Sequence, residues 1–129
     1  SLVEKFPAEC RHVLEALGDV YRVDAAARAG RVAELAERFE MKDALGESVA
    51  SYSHGMRQKL SLMAALLHDP EILILDEPTS GLDPNQIVEI RDLIREIGRK
   101  RTVVLSTHIL QEVEATCSRA LIISSGKLV

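Results

Sequence analysis

The chain has 129 residues, of which 47% are hydrophobic. This length and composition are enough to form the core of one modest domain. Sixteen basic and 20 acidic side chains give a formal net charge of −4, and this acidic balance without a basic cluster argues against nucleic acid as a main partner. The longest mostly apolar segment, residues 60–67, is far shorter than the ~20 residues that cross a bilayer. We therefore expect any contact with a membrane to go through a partner protein.

Helical spacing of apolar residues dominates the first half of the chain. Between Pro7 and Tyr21 this spacing predicts a helix, with Pro7 in its first turn. Its apolar face is predicted to be Cys10, Val13, Leu14, Leu17, Val20 and Tyr21. Asp24 stands where it can cap a second helix. The inner face of that helix is predicted to be Val32, Leu35, Ala36 and Phe39. Cys10 and Cys117 both fall on apolar helical faces, so we expect reduced cysteines in the core.

A third predicted helix begins with the polar motif Tyr52-Ser53-His54-Gly55-Met56-Arg57-Gln58-Lys59. Ser53 precedes a helical pattern and so occupies an N-cap position. The apolar face of this helix is predicted to be Met56, Leu60, Met63 and Leu67. Free N–H groups, the serine hydroxyl and the positive end of the helix dipole would make the helix start an anion site. A helix that is merely capped by serine is the alternative, and these residues alone favour neither interpretation.

From Pro70 onward the pattern changes to alternating strands and helices, which indicates a parallel sheet. The run Ile72-Leu73-Ile74-Leu75-Asp76-Glu77 predicts a buried parallel strand that ends in two carboxylates. Open α/β sheets bind ligands at the carboxyl ends of their strands, so Asp76 and Glu77 are predicted to lie at a ligand-binding edge. An ordinary core strand with capping acids would explain either acid alone, but not the whole string that continues to Pro84.

A fourth helix is predicted directly after this string. Asp83 fits its N-cap, Pro84 its first position, and Gln86 the position from which a side chain reaches back to the cap. The buried face is predicted to be Ile87, Ile90, Ile94 and Ile97, and Gly98 is predicted to end the helix.

The last third of the chain continues the alternation. A second buried strand is predicted at residues 102–106, and a polar turn with His108 follows it. A lone histidine after a strand is more often a surface or capping residue. A helix at residues 109–117 and strands at residues 120–124 and 127–129 complete the prediction.

These motifs resemble those of ATP-binding cassette (ABC) ATPases. Residues 72–84 resemble the Walker B motif and D-loop, residues 52–59 resemble the ABC signature, and His108 resembles the switch histidine in its order and distance. The resemblance implies an α/β fold of the P-loop NTPase type. It further implies an α-helical subdomain at residues 1–69 and part of a parallel RecA-like βα core at residues 70–129.

The resemblance also implies roles for individual residues in a site for ATP and Mg²⁺. Asp76 would hold the metal through its water shell, Glu77 would polarise the attacking water, and His108 would contact the γ-phosphate. Two domains would face each other head to tail, so that part of each chain binds the ATP held by its partner. That part comprises Ser53, His54, Gly55 and Met56 of the signature and Asp83 of the D-loop. His54 and Met56 are departures, because the family usually has glycine and glutamine there.

At the level of the whole protein, the resemblance implies the ATP-binding subunit of an exporter-type ABC transporter. Such a subunit hydrolyses ATP in the cytoplasm, on the inner face of the membrane, where it binds a transmembrane permease. The 129 residues contain no G-x-x-x-x-G-K-[ST] phosphate loop and no glutamine after the first core strands. We therefore expect a C-terminal fragment of a nucleotide-binding domain that is inactive alone. Its bare sheet edges would favour self-association.

Other classes share parts of the pattern. A non-transport ABC ATPase, acting in DNA repair, on chromosomes or on ribosomes, has the same core. Ser80-Gly81-Leu82-Asp83, the acidic charge and the lack of a heptad run favour a transporter. A helicase with an Asp-Glu box would not carry a signature helix before that strand. A non-catalytic regulatory module that kept the fold and lost the phosphate loop stays open as an alternative.

Overall fold

The computed structural model describes residues 8–129, so the predicted position of Pro7 lies outside the described residues. In chain order the elements are α1 (Ala8–Val20), α2 (Ala25–Arg38), α3 (His54–Leu66), β1 (Ile72–Asp76), α4 (Pro84–Gly98), β2 (Thr102–Ser106), α5 (Leu110–Thr116), β3 (Ile123–Ser124) and β4 (Lys127–Leu128). Two short 3-10 turns, Asp43–Gly46 and Val49–Ser51, connect α2 to α3. No helix within the described residues combines the length and apolar character needed to cross a membrane.

The first two helices form where the sequence predicts them. The Asp24 side chain caps α2 by accepting hydrogen bonds from the N–H groups of Ala26 and Ala27, and the predicted inner face of α2 is buried. The predicted apolar face of α1 is only partly correct. Cys10 and Leu14 are buried and Leu17 packs partly buried against the core, whereas half or more of each of the other three residues is exposed. The exposed residues are Val13, Val20 and Tyr21. The reason is that α1 contacts α3 along a narrow stripe, beyond which these three side chains lie.

One hydrophobic cluster joins the helical part to the strands. It contains Phe39 and Leu35 from the α2 region, Leu62 and Met63 from α3, and Ile90 from α4, all almost fully buried. The two predicted parts, residues 1–69 and 70–129, therefore pack against each other through a shared core within the described residues.

The two longer strands lie side by side and parallel, as predicted. Residues pair from Ile72 with Thr102 through Asp76 with Ser106. The prediction that both strands are buried is wrong for one face of the sheet. Ile74 is 76% exposed, and Ile72 and Val104 are also mostly exposed, while Leu73 and Leu75 are buried. Helix α4 packs on the buried face, whereas within the described residues the opposite face borders only an open groove beside α1 and α3.

The chain end differs from the prediction. Of the strand predicted at residues 120–124 only β3 forms, and it pairs antiparallel with β4 in a separate hairpin. Ser125 and Gly126 both have positive φ, which is the turn geometry that reverses a hairpin tightly. Because the chain turns back here, these strands do not extend the parallel sheet. Cys117 is half-buried just past α5, and Cys10 is buried; both are free thiols.

Candidate functional site

The parallel pairing of β1 and β2 brings two strand ends together. Asp76 and Ser106 lie opposite each other at the last register position, and the Ser106 hydroxyl donates a hydrogen bond to Asp76 Oδ1. The N–H of Glu77 donates to both the carbonyl and the hydroxyl oxygen of Ser106, at 3.1 Å each. The two predicted acids therefore lie at the carboxyl edge of the sheet, and their backbone is fixed by the neighbouring strand.

Glu77 turns sharply out of the strand toward His108. Its φ of 45° is left-handed, an unusual conformation for a residue with a side chain. From there Glu77 Oε1 accepts a hydrogen bond from His108 Nδ1 at 2.9 Å. This bond, and then the negative charge of Glu77, raise the pKa of His108 above its ordinary value of 6.5. The structure thus brings together Asp76, Glu77 and His108, three residues that the sequence analysis assigned to one site.

A buried carboxylate that the sequence analysis missed lies beneath this site. Glu112 of α5 is 8% exposed, and its Oε2 accepts a hydrogen bond from Thr79 Oγ1 at 2.5 Å. The same oxygen accepts from Thr107 Oγ1 at 3.3 Å. Nothing in the sequence of α5 distinguishes Glu112 from an ordinary surface glutamate. The only signal was that each of the two parallel strands is followed within three residues by a threonine.

The signature motif opens α3, as predicted. The Ser53 side chain accepts a hydrogen bond from the N–H of Met56 at 3.2 Å, so Ser53 is the N-cap, and both it and His54 are exposed. Gly55 is buried, and the side chain of Gln86 covers it. A Cβ atom on this glycine would lie only 2.7 Å from Gln86 Nε2. Met56 is half-buried against the core. An exposed helix start with a hydroxyl fits a single anionic group.

The D-loop lies against the signature within the same chain. His54 Nε2 donates a hydrogen bond to the carbonyl oxygen of Ser80 at 3.1 Å. Gly81 next to it has a φ of 74°, which favours glycine. Asp83 is exposed and caps α4 in a capping box: it accepts from the N–H of Gln86 at 3.0 Å, and Gln86 Oε1 accepts from the N–H of Asp83 at 3.3 Å. The turn between β1 and α4 thus connects the acids at the strand end to the signature.

The oxygen atoms at the strand ends suit Mg²⁺ rather than a softer metal. Asp76 and Glu77 offer carboxylate oxygens and Ser106 offers a hydroxyl. Among residues 8–129 no group of three or more His, Cys, Asp or Glu side chains could hold a metal. Mg²⁺ is commonly held in proteins by one or two carboxylates, with water and substrate phosphates completing its shell. The chemistry of Asp76 therefore fits this ion.

Comparison with known proteins defines the class of the chain. A family model described as "AAA domain, putative AbiEii toxin, Type IV TA system" matches residues 10–114. The chain is 46% identical over 101 residues to "Uncharacterized ABC transporter ATP-binding protein YhcH" of Bacillus subtilis, covering 77% of this chain and 33% of that protein. It is 38% identical over 120 residues to "Daunorubicin resistance ATP-binding protein DrrA3" of Streptomyces coeruleorubidus, covering 92% and 38%.

A solved structure gives the same result. The fold is similar to that in "Structure of ATP binding subunit of ABC transporter", with a TM-score of 0.75 and 30% identity, covering 92% of this chain and 50% of that chain. The protein therefore belongs to the AAA-type P-loop ATPase family whose model matches most of its length. Within that class its relatives are ATP-binding proteins of ABC transporters, which confirms the resemblance and the α/β fold expected from the sequence. The chain spans about a third of the length of these two curated relatives.

Proposed function

We propose that this chain carries the hydrolytic half of an ATP-hydrolysing subunit that powers the movement of a substrate across a membrane. The observation that carries the proposal is the cluster at the ends of β1 and β2. There Asp76 and Glu77 leave a strand side by side, and His108 lies 2.9 Å from the Glu77 carboxylate. The names of the relatives, among them a daunorubicin resistance protein, support transport and an exporter in particular.

Each residue of the cluster has a separate role in this proposal. Asp76 holds Mg²⁺ through water, and the bound ion would neutralise charge on the transferring phosphoryl group. Glu77 orients and polarises the attacking water. Because His108 Nδ1 is bonded to Glu77, its Nε2 is the ring nitrogen left to contact a phosphate oxygen. Catalysis of this kind depends mainly on positioning and charge stabilisation.

The signature and D-loop serve the site of a second subunit. We propose a head-to-tail dimer in which the exposed start of α3, at Ser53 and His54, binds the γ-phosphate of ATP held by the partner. The amide of Gly55 contributes only if the Gln86 side chain moves aside, since it now covers this glycine. Met56 orients the helix through the core, and Asp83 links the two sites across the dimer.

The remaining parts of the proposal concern the intact protein. It binds a transmembrane permease and lies on the cytoplasmic face of the membrane. The isolated 129 residues contain no phosphate loop, so we expect them to bind ATP weakly or not at all and to be inactive. Calorimetry that finds tight, magnesium-dependent ATP binding by these residues alone would contradict this expectation.

A mixing experiment on the intact protein tests the composite site. Each site would combine Glu77 of one subunit with Ser53 of the other. Glu77→Gln disables the first half of the site. Ser53→Asp places a negative charge in the second half while keeping a good N-cap. Each variant alone should hydrolyse ATP at the background rate. In an equimolar mixture about half of the dimers would be mixed, and each mixed dimer would contain one intact site of two. The mixture should therefore recover about a quarter of the original rate. Each variant mixed with itself is the control. No recovery, or full activity of either variant alone, would refute the arrangement.

A further inference from the structure

Two buried polar side chains among residues 8–129 are hydrogen-bonded to each other. They are Thr79, 6% exposed, and Glu112, 8% exposed, and the Thr79 hydroxyl donates to Glu112 Oε2 at 2.5 Å. A buried carboxylate without a partner is costly, whereas one that accepts from hydroxyl groups in a low-dielectric setting forms a strong hydrogen bond. This bond therefore fixes its two ends more firmly than an exposed one would.

The same carboxylate oxygen joins two turns. Thr107 Oγ1 donates to Glu112 Oε2 at 3.3 Å and in turn accepts from the N–H of Ile109 at 3.1 Å. Thr79 lies two residues after Glu77, and Thr107 lies immediately before His108. Glu112 thus connects the turn after β1 to the turn after β2, on the buried side of both.

The direct hydrogen bond between Glu77 and His108 contributes much less to holding the structure than the buried hydrogen bonds of Glu112. The His108 side chain is 76% exposed and that of Glu77 is 34% exposed. Ion pairs that water reaches contribute little, because solvent and salt screen them. What holds the two residues 2.9 Å apart must therefore come from the chain beneath them. There Ser106 ties the ends of the two strands together at the exposed edge, and Glu112 is the buried side chain that joins the two turns that follow.

We propose that Glu112 is a positioning residue that holds the turn carrying Glu77 against the turn carrying His108. Glu112 touches neither nucleotide nor water in this role and acts through Thr79 and Thr107. The catalytic consequence depends on the function proposed above, whereas the mechanical coupling of the turns does not. Since small misplacements of reacting groups cost large factors in rate, loss of this bridge should lower turnover more than it lowers nucleotide affinity.

The mechanical part is tested by amide hydrogen exchange in the chain described here. The variants are Glu112→Gln and Thr79→Val, with Thr116→Val as the matched control. Thr116 of α5 lines a small cavity together with Thr79 and Glu112, but it makes no hydrogen bond to Glu112 among the described residues. Either test variant should speed exchange at the amides of Ser80 and Ile109 by about tenfold. Thr116→Val should leave both amides unchanged.

A purely local role gives a different pattern. If Glu112 only stabilised its own helix, Glu112→Gln would speed exchange inside α5 and leave Ser80 unchanged. That result, or equal effects of Thr116→Val, would overturn the proposal. Faster exchange in both turns supports it, whether or not the protein proves to be an ATPase.

The catalytic part is tested in the intact protein. Glu112→Gln should lower kcat by about tenfold or more with KM for ATP changed less than about twofold. Combining it with Thr79→Val should add little to the loss caused by Thr79→Val alone, because glutamine weakens the same hydrogen bond by removing its charge and valine removes the donor. Additive losses, or an unchanged kcat, would overturn the positioning role. Unchanged hydrolysis in Glu77→Gln would instead contradict the proposed function and leave the exchange result to decide the role of Glu112.

Discussion

At the scale of single residues, the backbone conformation and contacts of Glu77 say most about the site. Its left-handed backbone costs a residue with a side chain about 1–2 kcal/mol, and the two hydrogen bonds from its N–H to Ser106 help to offset that cost. The sequence placed both acids at a strand end correctly, because an apolar run followed by Asp-Glu has few other interpretations. It could not predict the turn toward His108, since that depends on a partner 31 positions later in the chain.

The contact between these two residues predicts a measurable titration. The pKa of His108 should lie above 6.5 in the folded chain, and Glu77→Gln should return it toward 6.5. Because the folded-state pKa is raised, the contact stabilises the fold fully below pH 6.5, and this contribution is lost as the pH rises through the folded-state pKa. An NMR titration of the imidazole C–H signals measures it. Glu114→Gln on the exposed side of α5 is the control; an ordinary pKa in the unsubstituted chain would contradict the prediction.

At the scale of elements, capping and periodicity were reliable guides. Ser53, Asp24 and Asp83 all cap the helices predicted for them, because a cap depends only on residues within one turn. Contacts between elements were not predictable in this way. Asp69, for example, accepts hydrogen bonds from Arg31 of α2 and from Arg101, the residue before β2. No local pattern brings these three together.

The capping box of α4 gives a prediction at this scale. Asp83→Ala removes the acceptor for the N–H of Gln86 and should lower the free energy of unfolding by about 1 kcal/mol. Denaturant unfolding followed by circular dichroism measures the change. Asp92→Ala, an exposed aspartate in the middle of the same helix, is the matched control and should cost only a few tenths. Equal losses for both variants would show that the cap is not responsible.

At the scale of the whole molecule, the exposed face of the sheet stands out. The sequence pattern correctly predicted a parallel pair of strands, and its apolar run predicted burial on both faces. That second inference was wrong, because burial requires packed elements on each side. Within the described residues α4 packs on one face, while the other face borders an open groove. Each of the two strands also has just one neighbour there, so each has an unpaired edge.

We expect these surfaces to make the isolated chain self-associate. Sedimentation velocity over a range of concentrations should show reversible species larger than a monomer. Ile74→Lys places a charge in the middle of the exposed face and should shift the distribution toward monomer. Leu121→Lys changes an equally exposed aliphatic residue near the chain end and should not. A monomer at every concentration, or equal effects of both variants, would contradict the expectation.

In the proposed mechanism Glu77, the acid that follows β1, activates water for attack on ATP. Single-turnover hydrolysis by the intact protein, with Glu77→Gln compared against the unsubstituted protein at saturating ATP and Mg²⁺, tests it most directly. We expect a fall of at least about 100-fold in the hydrolysis rate with ATP still bound. A rate within about twofold of the original would contradict it.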